Sequence, residues 1–273
     1  MSCLEIQVEL VCDMLVRFLR AESGKFGFDR AVLGLSGGVD SAVSAALAAR
    51  AFGPTNVLAL VLPYRTSSPV SSTDATIVAR MLGIRTKLVD ISPMVDGYLD
   101  QEQVEDRVRR GNVMARARMI VLYDQSAAER ALVIGTSNKT ELLLGYSTQF
   151  GDSASALNPL GDLYKHQVWQ LARHLELPAQ VIDKAPTADL FAGQTDEGEL
   201  GFTYAEVDAL LVRMVDDRYD ERELVAAGFS SDFIRMVARR IAANQYKRLP
   251  PIIPKLSNRT IQQDFRYLRS WLH

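Results

Sequence analysis

The sequence predicts an α/β fold in which a doubly wound, mostly parallel sheet is flanked by helices. The first observation is an alternation of short apolar runs with longer stretches that place apolar residues at helical spacing. Strand-helix-strand order of this kind implies parallel pairing with right-handed crossovers. The second observation is the length of 273 residues, which suits one large α/β domain or two small ones. Because the chain shows no clear linker, internal repeat or low-complexity tract, we interpret residues 1–273 as a single domain.

The amino-acid composition argues against several classes of protein. The 33 acidic residues against 31 basic ones give a formal charge of −2, which argues against a nucleic-acid-binding surface as the main function. Cys3 and Cys12 suit a reducing cytosol and form no metal-ligand pattern. Glu5, Glu9 and Asp13 in the first segment argue against a signal peptide, and no apolar run approaches the ~20 residues that span a bilayer. We expect a soluble, cytoplasmic protein without nucleic-acid or membrane partners.

The most informative element is the stretch 31–52. An apolar run at 31–35 is followed by SGGVDS at 36–41 and then by an Ala-rich run. This order predicts a buried parallel strand, a tight loop and a helix. The adjacent glycines let N–H groups point inward, Ser36 and Ser41 add hydroxyl donors, and the helix N-terminus adds partial positive charge, so the loop suits phosphate. It is not a Walker A loop, because no Lys-Ser/Thr pair follows the second glycine. The alternative is an ordinary turn that is rich in Gly and Ser.

Three further apolar runs predict strands at residues 56–63, 86–91 and 131–135. Apolar residues at helical spacing predict helices on either side of them. These helices are expected at 3–21, 41–52, 73–83, 102–130 (which Gly111 could break in two), 164–175, 204–217 and 231–246. Residues 64–72 are expected to form a polar loop.

Two polar loops follow the first and fourth predicted strands. One is the loop 36–41, and the other is TSNKTE at 136–141. With a strand order of 3-2-1-4, helices would leave in opposite directions between these two strands. That position is the crevice where open α/β sheets bind ligands. We therefore expect the ligand site between the two loops.

Residues 186–201, PTADLFAGQTDEGELG, form the most unusual segment. The segment holds three glycines together with the acids Asp189, Asp196, Glu197 and Glu199, and it lacks periodicity. A long irregular segment inside a compact domain is usually functional or disordered. We favour a mobile lid at 191–199, and a plain surface excursion is the alternative.

Five stretches in order resemble one family, the ammonia-dependent NAD+ synthetases of the ATP pyrophosphatase (PP-loop) class. They are LGLSGGVDSA (33–42), NVMARARM (112–119), LVIGTSNKTE (132–141), NPLGDLYK (158–165) and PTADLFAGQTDEGELG (186–201). The resemblance implies an adenine nucleotide alpha-hydrolase-like fold, a Rossmann-like three-layer sandwich. It also implies a ligase that uses ATP and Mg2+ to convert the carboxylate of nicotinic acid adenine dinucleotide (deamido-NAD+) to an acyl-adenylate. Ammonia then displaces AMP and gives NAD+, the final step of NAD biosynthesis.

The resemblance also assigns residues to roles. ATP would be bound by Gly34, Leu35, Ser36, Gly37, Gly38, Val39, Asp40, Ser41, Thr136, Lys165 and Thr187. Asp40 and Glu141 would hold Mg2+, which prefers hard oxygen ligands. Arg116 and Lys247 would contact deamido-NAD+. Asp40, Lys165 and Thr187 would act in catalysis, Lys165 on a phosphate and Thr187 as the lid closes.

Each of these residues also has a simpler interpretation. Asp40 could be a helix cap, Glu141 a solvated helix residue and Lys165 a surface lysine. Arg116 or Arg118 could be an exposed helix charge. We favour the functional interpretation because all of them lie in stretches that match the family.

Some positions depart from the family pattern. Many members have a lysine where Gln149 stands and an aspartate near Ala156, and Tyr246-Lys247 replaces a common His-Lys pair. The lysine and the aspartate would touch deamido-NAD+, so these departures fall in the substrate half of the site rather than in the ATP half. The residues before the first strand number about 30, too few for the amidase domain of glutamine-using relatives, so free ammonia is the expected nitrogen donor. The resemblance also implies a homodimer.

Two other functions fit part of the pattern. Another ATP pyrophosphatase, such as a GMP synthetase core, a tRNA-modifying thiolase or a lysidine synthase, would be expected to show an amidotransferase domain, extra cysteines or a basic RNA surface. A non-catalytic nucleotide-binding module would need the loop 36–41 but neither the metal acids nor the lid.

Overall fold

The computed structural model describes residues 4–189, 191 and 193–261. Its centre is a parallel sheet made of β1 (Ala31–Gly34), β2 (Val57–Val61), β3 (Arg85–Leu88) and β4 (Leu132–Val133). The strand order is β3-β2-β1-β4, which confirms the predicted order. In register, Ala31 of β1 lies opposite Val57 of β2 and Leu132 of β4. The loop that follows β1 therefore leaves from the middle of the sheet.

Helices cover both faces of the sheet, which confirms the doubly wound α/β class. They are α1 (Val8–Gly24), α2 (Val39–Phe52), α3 (Pro69–Leu82), α4 (Ser92–Gln101), α5 (Arg107–Glu129), α6 (Lys139–Leu144), α7 (Lys165–His174), α8 (Ala179–Ile182), α9 (Asp196–Leu200), α10 (Tyr204–Leu211), α11 (Glu221–Ala226) and α12 (Ser231–Ala243). Short 3₁₀ turns lie at Pro54–Asn56 and Gln245–Arg248, and a π turn at Val212–Asp216 follows α10. Within the described ranges, none of these helices combines the length and the apolar character that a bilayer crossing needs.

Among the residues that the structure describes, three groups of buried apolar side chains hold the layers together. The first group lies between one face of the sheet and the helices α1, α2, α3 and α7. The second lies between the other face and α4 and α5. Successive residues of β1 and β2 contribute to these two groups in alternation, as expected for a sheet that is buried on both faces. The third group joins α6 to α10, α11 and α12 at the carboxyl edge of the sheet.

The helix predicted at 102–130 is shorter and unbroken. It begins at Arg107, because the Asp106 carboxylate caps it by accepting a hydrogen bond from Arg109 N at 2.8 Å. The helix passes through Gly111, which is buried, so the suggested break is wrong. The separate helix α4 over residues 92–101 was not predicted.

Other helices and strands begin or end at residues that differ from the predicted ones. Helix α3 begins at Pro69, where proline fits the first helical turn, so the predicted loop 64–72 is wrong beyond residue 68. Strand β3 ends at Leu88 rather than at residue 91. The helix predicted over 204–217 ends at Leu211, where the π turn begins.

Gly37, in the loop between β1 and α2, is required by the backbone. It has φ +79°, a conformation that side chains with a Cβ rarely adopt. A Cβ at this position would collide with the carbonyl oxygen of Ser71 and lie 3.1 Å from the Cβ of Asp74. Both of these residues belong to α3. The loop therefore packs directly against α3, and only glycine fits.

We expect Gly37→Ala to lower the free energy of unfolding by about 2–4 kcal/mol, because the positive φ and the collision both act against a methyl group. Urea or thermal unfolding measures the loss. Gly97→Ala is the matched control, since Gly97 lies within α4 and has no atom within 4 Å of an added Cβ. That variant should gain about 0.5–1 kcal/mol. Wild-type stability of Gly37→Ala would contradict the described loop geometry.

Candidate active site

A cavity of about 280 Å³ opens at the carboxyl ends of β1, β2 and β4. The loop after β1 and residues 135–137 after β4 form two of its walls, and residues 184–189 form another. The cavity thus lies in the predicted crevice. The residues that the sequence assigned to ATP or metal and that line it are Gly34, Leu35, Ser36, Gly38, Val39, Asp40, Ser41, Thr136, Glu141, Lys165 and Thr187. Gly37 packs on α3 instead.

The loop between β1 and α2 is braced by its own serines. Ser41 Oγ donates to Gly38 O at 2.9 Å and accepts a hydrogen bond from Ser36 N at 3.2 Å. The two serine hydroxyl oxygens lie 3.1 Å apart. Helix α2 begins directly afterwards, with Gly38 as its N-cap residue, and its first residues line the cavity. The loop therefore presents a fixed helix N-terminus, which attracts anions.

Lys165, the first residue of α7, lines the cavity together with Asp40 and Glu141, and these three charged side chains form its polar wall. The Lys165 ammonium pairs with Asp40 and lies 3.9 Å from Glu141 Oε1. The rings of Trp169 and Tyr204 lie 5.9 Å and 5.1 Å from Lys165 Nζ. Since the side chain is only 2% exposed, Lys165 is not a surface lysine.

Asn138 connects the two carboxylates of this wall. Asn138 Nδ2 donates to Asp40 Oδ1 at 2.9 Å. Asn138 also forms a capping box at the start of α6, in which Glu141 N donates to Asn138 Oδ1 at 2.9 Å and Asn138 N donates to Glu141 Oε2 at 3.2 Å. The Glu141 side chain is 16% exposed, so it is not a solvated helix residue. Asp40 is not a helix cap either, because Gly38 holds that position. Asn138 was not among the residues predicted to contribute to the site.

Burial and neighbouring charges shift the pKa values of Glu141 and Lys165 in this wall. Burial raises the pKa of Glu141 well above its usual value, the charge of Asp40 raises it further, and Lys165 lowers it. For Lys165, burial acts to lower the pKa, but Asp40 and Glu141 outweigh this effect and the pKa is raised. Lys165 is therefore charged at neutral pH. An ionised Glu141 is therefore disfavoured at this position unless a further positive charge lies beside it.

Asp40 and Glu141 are the carboxylates beside Lys165 that were predicted to hold a divalent cation, and both line the cavity. Among the residues that the structure describes, no group of three or more His, Cys, Asp or Glu side chains is arranged to hold a metal ion. Mg2+ is commonly held by one or two carboxylates together with phosphate oxygens and waters. The donor set therefore fits Mg2+ that arrives with a nucleotide better than a metal caged by protein alone.

Asp196 is a cavity carboxylate that the sequence analysis named only among the acids of its segment. The hydroxyls of Tyr146 and Tyr204 donate to Asp196 Oδ1 at 3.1 Å and to Asp196 Oδ2 at 3.2 Å. Asp196 is 5% exposed. Burial raises its pKa, although Lys165 and the two tyrosine hydroxyls act in the opposite direction. No periodic signal in the sequence marks this residue.

Residues 186–189 form the wall of the cavity opposite α2. Ser68 N donates to both carboxylate oxygens of Asp189 at 3.1 Å. Thr187, which was predicted to contact ATP, lines the cavity, and its Oγ1 accepts a hydrogen bond from Asp189 N at 3.0 Å. Asp189 itself has φ +50°, an uncommon value for a residue with a side chain. This part of the segment is therefore fastened to the start of α3.

The remainder of the predicted lid contains more structure than its sequence indicated. Helix α9 forms at Asp196–Leu200, with Thr195 Oγ1 accepting a hydrogen bond from Gly198 N at 3.2 Å. Phe191 packs against the apolar group beneath α4 and α5. Leu190 and Ala192 lie outside the described residues. Mobility at 191–199 stays a prediction.

Arg116 and Lys247 lie apart from the cavity. Arg116 is exposed on α5 and donates to Gln149 O at 3.3 Å. Lys247 Nζ donates to Gly145 O at 2.7 Å and to Ser147 O at 2.8 Å. Lys247 also lines a second recess together with Gln149. Both cations thus hold the segment 145–149, and the structure does not bring them to the loop after β1.

Arg118, rather than Arg116, reaches the cavity. Arg118 Nε donates to Leu62 O at 3.1 Å, and burial lowers the pKa of its guanidinium. Residues two positions apart on a helix face nearly opposite directions, so only one of these two arginines can face the sheet. The buried residues Met114 and Val121 share a helical stripe with Arg118. That spacing is the signal that could have identified it.

We expect Asp196→Asn to change stability in a pH-dependent way. A carboxyl group whose native pKa is raised contributes stability below its unfolded pKa of about 4 and loses that contribution as pH rises through the native pKa. The melting temperature of the variant, relative to wild type, should therefore increase between about pH 4.5 and about pH 7.5. Thermal unfolding at these two values measures the change.

Asp90→Asn is a control with the opposite sign. Hydrogen bonds from Ser92 lower the pKa of Asp90, so its contribution to stability is present at neutral pH and is lost as pH falls. The relative melting temperature of this variant should decrease as pH rises from about 2 to about 4.5, and it should stay constant from there to about pH 7.5. A pH-independent difference for Asp196→Asn would contradict the buried, raised-pKa state of Asp196.

Residues 11–251 match the family model described as NAD synthase. Among curated proteins, the NH(3)-dependent NAD(+) synthetase of Trichlorobacter lovleyi is 57% identical to this chain over 271 residues. That alignment covers 99% of this chain and 99% of the relative.

Two solved structures are similar in sequence and in fold. The NMN synthetase from Francisella tularensis is 33% identical, with a TM-score of 0.83. The NH3-dependent NAD synthetase from Campylobacter jejuni, solved in complex with the nitrate ion, is 34% identical, with a TM-score of 0.79. Each alignment covers 92% of this chain and 100% of the other chain.

Proposed function

The chain belongs to the NAD synthase family, and we propose that it is a ligase that amidates deamido-NAD+ with ammonia at the expense of ATP, giving NAD+, AMP and pyrophosphate. This reaction is the last step of NAD biosynthesis. The observation that carries the proposal is the cavity that places the loop after β1 beside Lys165, Asp40 and Glu141. Activation of a carboxylate by ATP requires groups that bind phosphate and supply positive charge. The loop after β1 and the Lys165 ammonium would supply them, and the carboxylates of Asp40 and Glu141 would hold a metal ion.

Two anions must meet in the first step. A carboxylate oxygen of the acid attacks the α-phosphorus of ATP, the bond from that phosphorus to the bridging oxygen breaks, and pyrophosphate leaves. Ammonia then attacks the carbonyl carbon of the acyl-adenylate. AMP leaves with one oxygen of the original carboxylate, and the nitrogen loses a proton to give the amide. Positive charge is needed where the phosphate groups crowd together.

The cavity residues would meet this need. The backbone of residues 34–41 and the N-terminus of α2 would hold the departing pyrophosphate. Lys165, which Asp40 keeps charged and in place, would neutralise a phosphate. Thr136 after β4 would contact the adenosine part, and Thr187 would contact ATP from the opposite wall.

Asp40 and Glu141 would hold Mg2+ beside the phosphates. When bound, the ion supplies additional positive charge to them. The raised pKa of Glu141 supports this assignment, because burial and the nearby Asp40 both disfavour an uncompensated carboxylate at this position.

The acid substrate would contact Arg116 and Lys247. Both bind the segment 145–149 from outside the cavity, and Lys247 lines the second recess with Gln149 and Phe150. The acid substrate would then enter the cavity from the side on which the segment 145–149 and the second recess lie.

The smaller nicotinic acid mononucleotide is a second candidate substrate. The similar structure from Francisella tularensis is named an NMN synthetase. In addition, the resemblance places a lysine where Gln149 stands and an aspartate near Ala156 in many family members, and both would touch deamido-NAD+. A smaller acid would not need those two contacts.

A product assay tests the proposal. The chain is incubated with ATP, Mg2+, ammonium and either deamido-NAD+ or nicotinic acid mononucleotide, and the amide, AMP and pyrophosphate are quantified. We expect equal amounts of NAD+, AMP and pyrophosphate from deamido-NAD+, and no AMP without an acid. Preferred turnover of the mononucleotide would establish the second candidate. Release of ADP, or no amide from either acid, would contradict both.

We expect Asp40→Asn and Glu141→Gln each to reduce turnover at least about 100-fold, because the amides keep the size but lose the charge. Initial rates at saturating Mg2+ measure the effect. Asp162→Asn is the matched control, since that carboxylate is 96% exposed on the protein surface and pairs with Lys139. It should keep wild-type activity. Near-normal rates in either cavity variant would remove that residue from the metal site.

We also propose that two copies of the chain form a homodimer through the face around α5. Ile120 and Tyr123 of α5 and the nearby Phe150 are exposed apolar side chains, and two of them border the second recess. Contiguous exposed apolar surface marks interaction sites. Sedimentation velocity at micromolar concentration should show a dimer. A stable monomer under these conditions would remove this assignment.

We propose that residues 1–273 form one domain and that the protein acts in the cytoplasm. Strands β1 and β2 contribute to both the first and the second apolar group, and Trp169 of α7 packs against both the first and the third, which supports a single domain. Cys12 is a buried free thiol, as is usual in a reducing compartment.

A further inference from the structure

Helix α7 begins with Lys165, and its first N–H groups are bonded by other parts of the chain. Its N-cap residue Tyr164 supplies no side-chain acceptor. Lys165 N donates to Thr140 Oγ1 at 3.1 Å, and His166 N donates to Asp208 Oδ2 at 2.8 Å. The helix that places Lys165 therefore takes its cap from α6 and α10.

Asp208 joins these contacts into one chain of hydrogen bonds. Thr140 Oγ1 donates to Asp208 Oδ1 at 2.5 Å. A backbone N–H can only donate, so the Thr140 oxygen receives the N–H of Lys165 and gives its own proton to Asp208. Both carboxylate oxygens of Asp208 are therefore acceptors, one for Thr140 and one for His166. Asp208 and Thr140 are both 0% exposed.

These contacts connect the two turns that carry cavity groups. Thr140 directly precedes Glu141 in α6, and Lys165 is the first residue of α7. Asp208 lies behind them in α10 and, among the described residues, it is not part of the cavity lining. One buried carboxylate thus links the turn of Glu141 to the turn of Lys165 without reaching the cavity.

We propose that Asp208 is a positioning residue for the ligase reaction, which fixes the Lys165 ammonium relative to Glu141 through Thr140 and the N–H of His166. The inference rests on the proposed function. It means that Asp208, from behind the cavity, determines where the positive charge of Lys165 meets the phosphates of ATP.

Asparagine cannot replace Asp208 in this arrangement. If its oxygen accepts from His166 N, its NH2 group faces Thr140, whose hydroxyl proton then loses its acceptor. If the amide is turned round, the NH2 group faces the N–H of His166. Either orientation leaves a buried donor without a partner, so the N-terminus of α7 must shift.

The test compares Asp208→Asn with the wild-type chain at a temperature where circular dichroism shows both to be folded. Replacing a group that orients the ligands of a metal site typically costs about 10–100-fold in activity or affinity, and we take the same range for a group that orients a catalytic ammonium. We expect kcat to fall by about 10–100-fold with the KM of the acid substrate unchanged. Calorimetric titration with ATP and Mg2+ should show binding that is weaker by about tenfold or more.

Three further variants separate positioning from general destabilisation. Thr203→Ala removes the N-cap of the same helix, where Thr203 Oγ1 accepts a hydrogen bond from Glu206 N at 3.2 Å, and should lower the melting temperature while keeping wild-type kcat. Thr140→Val should reproduce the loss in kcat, and Thr140→Ser, which keeps the hydroxyl, should recover most of it. The double variant Asp208→Asn with Thr140→Val should lose no more than either single variant, because both break the same chain of hydrogen bonds.

The proposal is overturned if folded Asp208→Asn keeps kcat within about twofold of wild type. It is also overturned if Thr203→Ala loses as much kcat as Asp208→Asn at an equal loss of melting temperature. If the wild-type chain makes no amide from either acid, the proposed function fails, and ATP binding alone decides the role of Asp208. In that case unchanged affinity of Asp208→Asn for ATP with Mg2+ overturns the proposal, and weakened affinity supports it.

Discussion

The buried ammonium of Lys165, held between Asp40 and Glu141, is the interaction on which the candidate site depends. Three ionisable groups from α7, α2 and α6 meet where little water reaches them. Removing each ion from water costs several kcal/mol, and their attraction offsets that cost only when the geometry is fixed. Asn138 supplies part of that geometry by bonding Asp40 and capping the turn of Glu141. The raised pKa of Glu141 indicates that Lys165 does not fully compensate the cost of ionising Glu141 in this buried position. A cation bound beside Glu141 would lower that cost.

The surrounding fold follows from the need to bring these groups to one edge of the sheet. Helix α2 carries Asp40 to the end of β1, and its alanines let it lie close to the strands, where almost all of it is buried. The loop before it bends through Gly37 and packs against α3. Helix α7 lies against α1 and α2 through its apolar face, while its N-terminus is bonded by α6 and α10. The carboxyl edge of the sheet is thus enclosed on the side where Lys165 lies.

Much of the fold could be predicted from local sequence signals, whereas the contacts of the site could not. The apolar runs of the sequence predicted the positions of the four strands in this sheet. The predicted parallel sheet with the order 3-2-1-4 also predicted that the loops 36–41 and 136–141 lie at the same crevice. The ion pair of Lys165 with Asp40 joins residues 125 positions apart, so it depends on tertiary packing that no local pattern encodes. Helix α9 was missed because five residues are too few to show a helical period. Asp208 was missed because a polar residue in a mostly apolar helix carries no sign of its partners in the sequence.

Transfer of a carboxylate oxygen to AMP tests the proposed activation chemistry most directly. Deamido-NAD+ labelled with oxygen-18 in its nicotinate carboxylate is turned over with ATP, Mg2+ and ammonia, and the AMP is analysed by mass spectrometry. Attack of the carboxylate on the α-phosphorus predicts a single labelled oxygen in each AMP molecule and none in pyrophosphate. Unlabelled AMP, or label in orthophosphate formed with ADP, would contradict an acyl-adenylate and with it the roles assigned to the loop after β1 and to Lys165.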